Sequence, residues 1–173
     1  SSQAYPADMS PLLKRLYANR GVEDIEQFQL GLQRLPKPDQ LSGMSAAIES
    51  LSAAVQQQKN VLLVGDFDAD GATSCALALR ALKMMGLTAN YLVPNRFEYG
   101  YGLTPEIVEI AAQSQPDIIV TVDNGISSIE GVAEAKSRGM KVIVTDHHLA
   151  GNTLPAADAI INPNQPDCSF PAK

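Results

Sequence analysis

The amino-acid sequence predicts an α/β protein: a parallel sheet of four to five strands with helices on both faces, preceded by a short helical N-terminal segment. Three observations carry that prediction. Three short apolar runs, Val61-Leu62-Leu63-Val64, Ile118-Ile119-Val120-Thr121-Val122 and Val142-Ile143-Val144-Thr145, have the composition of strands buried on both faces. Each run leads into an aspartate: Asp66 (after Gly65), Asp123 and Asp146. Between the runs lie segments of helical period with caps and glycine stops, the alternation that βαβ units produce.

Residues 1–59 form the helical N-terminal segment, and 60–173 the α/β domain. Ser10 caps a first helix with Pro11 at its first position, Gly21 lies just past its end, and Leu12, Leu13, Leu16 and Tyr17 give it an apolar face. A second short helix is expected from Val22 to Leu30. Gly31 to Ser42, with Pro36 and Pro38, is a loop. A third helix should run from Met44 to Gln58, with Met44, Ala47, Ile48, Leu51 and Val55 as its apolar stripe. From Asn60 the strand–helix alternation begins. A helix from Gly71 to Gly86 turns Ala72, Cys75, Ala76, Leu79 and Leu82 inward. Ala89 to Val93 is a strand stopped at Pro94. Thr104-Pro105-Glu106 opens a helix reaching Gln113, since cap, proline and acid suit a helix start. After Asp123, Ser127 or Ser128 caps a helix to Arg138, stopped by Gly139. Ala159-Ile160-Ile161 is a short fifth strand, and Asn162-Pro163-Asn164 turns the chain.

The 173 residues suffice for one domain with a core plus an appendage. With 45% hydrophobic residues and no long apolar span, a transmembrane helix is excluded and no membrane partner is expected. The polar start Ser1-Ser2-Gln3-Ala4 is not a signal peptide. A net charge of −6 argues against a broadly basic nucleic-acid binder, yet the carboxylate cluster supplies much of that excess and bound metals would reverse its local sign. Two cysteines, Cys75 and Cys168, make neither a disulfide framework nor a zinc spacing; they read as reduced thiols of a cytoplasmic protein.

The chemistry lies where the apolar runs end, because sites in open α/β sheets form beyond the carboxyl ends of the strands. Asp66, Asp68, Asp70, Asp123, Asp146, His147 and His148 would converge there. Two unit charges about 4 Å apart repel by roughly 4 kcal/mol at an effective dielectric near 20. Such a cluster therefore needs raised pKa values or bound cations, and a divalent metal is the simpler answer. Asp66-x-Asp68-x-Asp70-Gly71 also matches the opening of an EF-hand loop, but the twelfth position is Leu77 instead of glutamate and a strand precedes it. An aspartyl-phosphate phosphatase would carry threonine or valine where Asp70 stands. Capping and turn formation account for one of these aspartates, not three. Asp123-Asn124-Gly125 is either a tight turn or a nest of backbone N–H groups that, with Ser127 at the following helix, binds phosphate. Asp146-His147-His148 holds both histidines of the chain, with an acid placed to orient an imidazole. Adjacent residues leaving a strand point apart, so one histidine can ligate while the other faces substrate. Arg96-Phe97-Glu98-Tyr99-Gly100-Tyr101-Gly102 is a loop in which Arg96 meets a phosphate and a tyrosine stacks on a base; the alternative is a loop whose aromatics pack on the sheet.

Asp66-Phe67-Asp68-Ala69-Asp70-Gly71, Val122-Asp123-Asn124-Gly125-Ile126 and Thr145-Asp146-His147-His148 resemble, in order and spacing, the first three motifs of the DHH phosphoesterase superfamily. More narrowly, Gly65 through Ser74, Arg96 with Gly100-Tyr101-Gly102-Leu103, Ile161-Asn162-Pro163-Asn164, and Pro11-Leu12-Leu13 with Arg20-Gly21 are similar to the RecJ family of single-strand-specific 5′→3′ exonucleases. The resemblance implies Mn²⁺ or Mg²⁺ held by Asp68, Asp70, Asp123 and His147, with Asp66 a less secure ligand. It implies His148 at the scissile phosphate, supported by Asp146. Arg96, Asn124, Gly125 and Ser127 are the candidate phosphate-binding residues. Single-stranded DNA is the implied partner, with DNA-repair proteins as further partners in repair and recombination. Some superfamily members carry a ligating histidine where this chain has Val64, and the fourth motif lies beyond Lys173. The chain is therefore expected to be the N-terminal part of a longer catalytic core, monomeric and inactive alone. Rival readings are a DHH phosphoesterase acting on short oligonucleotides, cyclic dinucleotides or pyrophosphate, and a catalytically silent binding domain.

Overall fold

The computed structural model describes residues 5–22 and 31–171; the helix expected over Val22–Leu30 lies outside the described residues apart from Val22. Two compact units divide the chain, 1–37 and 38–173. In the first, helix α1 (Pro11–Asn19) starts as expected: Ser10 is extended and its hydroxyl accepts from Leu13 N, with proline in the first turn. None of its residues is buried. Two 3₁₀ turns, Leu32–Arg34 and Pro38–Gln40, punctuate the stretch expected as loop.

The second unit opens with α2 (Met44–Gln57) and holds strands β1 (Asn60–Gly65), β2 (Thr88–Leu92), β3 (Ile118–Val122), β4 (Lys141–Thr145) and β5 (Ala159–Ile161). Its remaining helices are α3 (Ala69–Met84), the one-turn α4 (Arg96–Tyr99), α5 (Pro105–Ala112) and α6 (Ile129–Ser137). All pairings are parallel, in the order β2-β1-β3-β4-β5. The order reverses between β1 and β3, the topological switch point where doubly wound sheets form their ligand crevice.

Strand periodicity sorts the core into two layers. Val61 and Leu63 of β1, Ile118, Val120 and Val122 of β3 and Ile143 of β4 pack with α2 and α3. Leu62, Val64, Ile119, Val142 and Val144 face the other way, onto Ile107, Val108 and Ala111 of α5 and Val132 and Ala135 of α6. The central strand β3 is buried at every position. Helices therefore cover both faces, as the unbroken apolar runs required.

Several registers differ from the sequence expectation. α2 turns Ala47, Ser50 and Ala54 to the sheet, while Ile48 is 56% exposed. Leu51 and Val55 of the expected stripe pack against the same core beside Ala47, so Ile48 is the member of that stripe left in solvent. α3 starts at Ala69, not Gly71, because Asp68 is extended and caps it by accepting from Gly71 N at 3.2 Å. That start points Gly71, Cys75 and Leu82 inward and leaves Ala72 and Ala76 exposed. Gly71 is required: a Cβ there would lie 2.6 Å from the Asp66 carbonyl oxygen. Ser128 occupies the N-cap position of α6, but its hydroxyl accepts from Leu103 N at 2.9 Å instead of capping the helix.

Candidate metal centre

Beyond the strand ends, one further rung of the sheet carries polar residues. Gly65 pairs with Val122, Val122 with Thr145, and Thr145 with Ile161. The next residues in register are Asp66, Asp123, Asp146 and Asn162, and backbone bonds continue across them: Asp66 N to Val122 O, Asp123 N to Thr145 O, Asp146 N to Ile161 O. All four are buried, at 8%, 8%, 8% and 0% exposure. Parallel pairing thus sets three buried aspartates on adjoining strand ends.

Their partners give them different roles. Asp146 is fully committed: Oδ1 accepts from His147 N (2.7 Å), His148 N (3.0 Å) and His148 Nδ1 (2.6 Å), while Oδ2 accepts from Ile126 N (2.9 Å). It positions the His147–His148 corner, with Oδ1 fully engaged by three bonds. Asp66 accepts from Phe67 N and takes Arg96 Nη2 on both oxygens, at 2.8 and 2.6 Å. Asp123 is the exception. Its Oδ1 is buried and makes no hydrogen bond, although His147 Nε2 lies 2.9 Å away. Its backbone is left-handed, φ +62°, an uncommon conformation for a residue other than glycine. Burial, then the charges of Asp70 and Asp68, push its carboxyl above the ordinary value.

Around Asp123 the side chains fall into two overlapping groups. In one, ligand atoms of Asp66, Asp68 and Asp123 lie within 4.8 Å of one another; in the other, those of Asp123, His147 and His148 do. Asp123 belongs to both. Asp70, in the first turn of α3, brings Oδ2 to 3.9 Å from His147 Nε2. A buried carboxylate oxygen that no main-chain N–H reaches, flanked by carboxylates and an imidazole, is a ligand set that suits an oxygen-preferring divalent cation. The residues present therefore fit such an ion. Val64 offers nothing to it, being 1% exposed within the α5–α6 layer.

His148 is oriented from two sides. Asp146 holds Nδ1, and the Tyr101 hydroxyl lies 3.1 and 3.2 Å from the two ring nitrogens and 3.2 Å from the Asp123 carbonyl. The bond to Asp146 raises the His148 pKa. Two asparagines hold the corner from outside: Asn162 Nδ2 donates to His148 O (3.0 Å) and Asn164 Nδ2 to His147 O (2.5 Å). The sequence reads Asn162-Pro163-Asn164 as a turn and as part of the family resemblance, and gives its asparagines no role at the site. The signal for more was present, because asparagines one rung past a final strand can reach the neighbouring strand's loop.

The four candidate phosphate-binding residues are spread differently. Arg96 starts α4, which Asn95 caps, and its guanidinium is drawn inward to Asp66 and stacked 3.9 Å from the Phe67 ring centroid. Asn124 is 2% exposed, its amide donating to Val64 O and Val122 O. Gly125, at φ +110°, passes so close to Thr121 that a Cβ would lie 2.5 Å from its Oγ1. Of the N–H groups after it, Ile126 N is already taken by Asp146. Ser127 is exposed, on an open groove of about 810 Å³ that runs from Asp146 and His148 to the starts of α5 and α6. Glu106 and Glu130 line that groove as well.

The comparisons with known proteins accord with this geometry. The profile described as "DHH family, N-terminal domain" matches residues 60–172. The single-stranded-DNA-specific exonuclease RecJ of Escherichia coli is 54% identical over 169 residues, covering 97% of this chain and 29% of its own length. The Bacillus subtilis protein of the same name is 34% identical over 169 residues, covering 95% of this chain and 22% of its own length. A crystal structure of exonuclease RecJ bound to manganese superposes with a TM-score of 0.68 at 36% identity, over 77% of this chain and 33% of that one. The chain thus spans under a third of the length of the curated relatives it matches. With its three motifs on adjoining strand ends and the family profile running over nearly all of the sheet-bearing unit, the chain belongs to the DHH family.

Proposed function

We propose that the chain is the N-terminal part of the catalytic core of a metal-dependent phosphodiesterase that removes nucleotides from the 5′ end of single-stranded DNA in repair and recombination. The observation that carries the reading is Asp123: a buried carboxylate oxygen without a hydrogen bond, shared by two groups of ligand atoms at the switch point of the sheet. The RecJ relatives, one of them crystallised with manganese, support the substrate and the cation.

In this reading Asp68, Asp70, Asp123 and His147 hold Mn²⁺ or Mg²⁺, with Asp66 at the margin because Arg96 engages both its oxygens. Cations held there would supply charge neutralisation at the phosphoryl oxygens and lower the pKa of a water. Asp146 keeps Nδ1 of His148 engaged, so Nε2, 3.2 Å from the Tyr101 hydroxyl, is the nitrogen that would turn to a phosphate oxygen. Tyr101 fixes the His148 ring edge and ties it to the Asp123 backbone. Arg96 places positive charge beside the cluster, where a polyanion must approach.

Calorimetric titration of the chain with Mn²⁺, alongside Asp123→Asn, tests the centre; equal affinity in both proteins would overturn it. The activity is tested on the full-length parent with 5′-labelled single- and double-stranded oligonucleotides. Cleavage of pyrophosphate or cyclic dinucleotides with no release from single strands would replace the substrate assignment.

A further inference from the structure

We propose that Phe67 and Phe97 form a stacking platform for an unpaired nucleobase of the strand whose phosphate lies at the metal centre. This rests on the phosphodiesterase reading above and adds a second recognition element to it.

Phe67 stands between Asp66 and Asp68, two residues of one candidate ligand group. Metal chemistry makes no demand for an aromatic at that position, yet a phenyl ring is there and 49% exposed. Phe97, in the first turn of α4, is 91% exposed. Their ring centroids lie 6.4 Å apart at an interplanar angle of 42°, a tilted pair in contact, so a base stacks on the pair and not between its rings. Both backbones are pinned: Phe67 N donates to Asp66 Oδ1 at 2.8 Å and Phe97 N to Asn95 Oδ1 at 3.1 Å. The rings are therefore presented by fixed main chain.

The platform already accepts a planar π-stacking group. The Arg96 guanidinium lies 3.9 Å from the Phe67 centroid, at van der Waals contact, held there by Asp66. A nucleobase is the occupant whose chemistry matches the rest: a flat ring for the open Phe97 ring and the part of Phe67 that Arg96 leaves uncovered, attached to a phosphate for the cluster one residue away. Every base has a π-face, so such a platform tolerates any sequence. A paired base inside a duplex has both faces covered by its neighbours. Stacking on Phe97 is open to a single strand and closed to an intact duplex end.

The test is aromatic NMR on the chain carrying ¹³C-labelled phenylalanine, with Mg²⁺ present. The probes are a 5′-phosphorylated trideoxyadenylate and the same backbone with abasic residues. The expected result is ring-current shifts at Phe67 and Phe97 with the adenylate and none with the abasic probe. Phe97→Ala should weaken adenylate binding about tenfold, within the range for losing one stacked base, and Phe97→Trp should restore it. At 91% exposure Phe97 leaves no core cavity when truncated. Equal shifts with the abasic probe, or silent phenylalanines up to several millimolar adenylate, would overturn the platform. A parallel Mg²⁺ titration separates the two readings: Phe97→Ala should leave it unchanged, and loss of cation binding in the parent chain would instead count against the metal centre.

Discussion

Replacing Asp123 with asparagine should stabilise the metal-free chain and abolish its stabilisation by metal. At the 4.8 Å that bounds the ligand-atom spacing among Asp66, Asp68 and Asp123, two unit charges repel by about 3.5 kcal/mol at an effective dielectric near 20. Most of this is relieved. Arg96 neutralises Asp66, water screens the exposed Asp68 and Asp70, and His147 Nε2 lies 2.9 Å from Asp123 Oδ1. About 1 kcal/mol of net cost is a reasonable remainder. Asparagine removes the charge, keeps the shape and adopts a left-handed backbone readily. In EDTA at pH 7.5, Asp123→Asn should therefore be about 1 kcal/mol more stable to urea. The sign with pH follows from the raised carboxyl. An acid whose folded pKa exceeds its unfolded value costs stability increasingly as pH rises from the unfolded pKa through the folded one. The advantage of the variant should thus vanish near pH 3 and reach a plateau above the raised pKa. Cation binding reverses the order, since a ligand at about one hundred times its Kd adds about 2.7 kcal/mol to the parent. Urea unfolding followed by circular dichroism, in EDTA and in saturating Mn²⁺, measures both limbs. A variant less stable than the parent in EDTA, or equally stabilised by Mn²⁺, would refute the reasoning.

Asp146→Asn should act in the opposite sense, because its buried carboxylate accepts four bonds and an amide would face N–H groups with a donor; the expected loss is about 2–5 kcal/mol, read from the urea midpoint without metal. A loss below about 0.5 kcal/mol would show that the His147–His148 corner holds without it. His148→Ala should lower kcat of the full-length parent at least a hundredfold while Mn²⁺ affinity stays within about twofold, in the range for removing an acid–base group; a tenfold loss of affinity would make His148 a ligand. At the far end of the sheet, Asp117 accepts from Asn60 N at 2.8 Å and pairs with Lys59 at 3.0 Å, and these bonds lower its pKa. Asp117→Asn should cost about 0.5–1 kcal/mol at neutral pH. Because the folded pKa lies below the ordinary 3.8, that difference should persist above pH 4 and disappear as pH falls through the folded value. A pH-independent difference would assign the loss to packing.

The sequence by itself determined the α/β class, the strand cores, both helix faces and the edge where the motifs meet. Those features follow from short-range rules: a double-sided strand must be apolar throughout, a helix start needs a cap, and a chain leaving a buried strand must turn polar. Asp66, Asp123 and Asp146 could be placed at one edge because each closes its own apolar run, and His147 because it follows Asp146. What the sequence left open was how partners are shared across strands. Only the pairing register shows that Asp66, Asp123, Asp146 and Asn162 occupy one rung, and register between paired strands up to 57 residues apart has no local signature. The same limit explains Arg96, drawn onto Asp66 across 30 residues, and Asn124, turned into the sheet to satisfy Val64 O across 60. It explains Ser128 serving Leu103 instead of its own helix. Buried polar atoms take whichever donor or acceptor the fold brings within reach. Identical carboxylates at identical strand ends therefore diverge: Asp146 accepts four hydrogen bonds, Asp66 is ion-paired, and Asp123 has only the His147 imidazole beside its buried Oδ1.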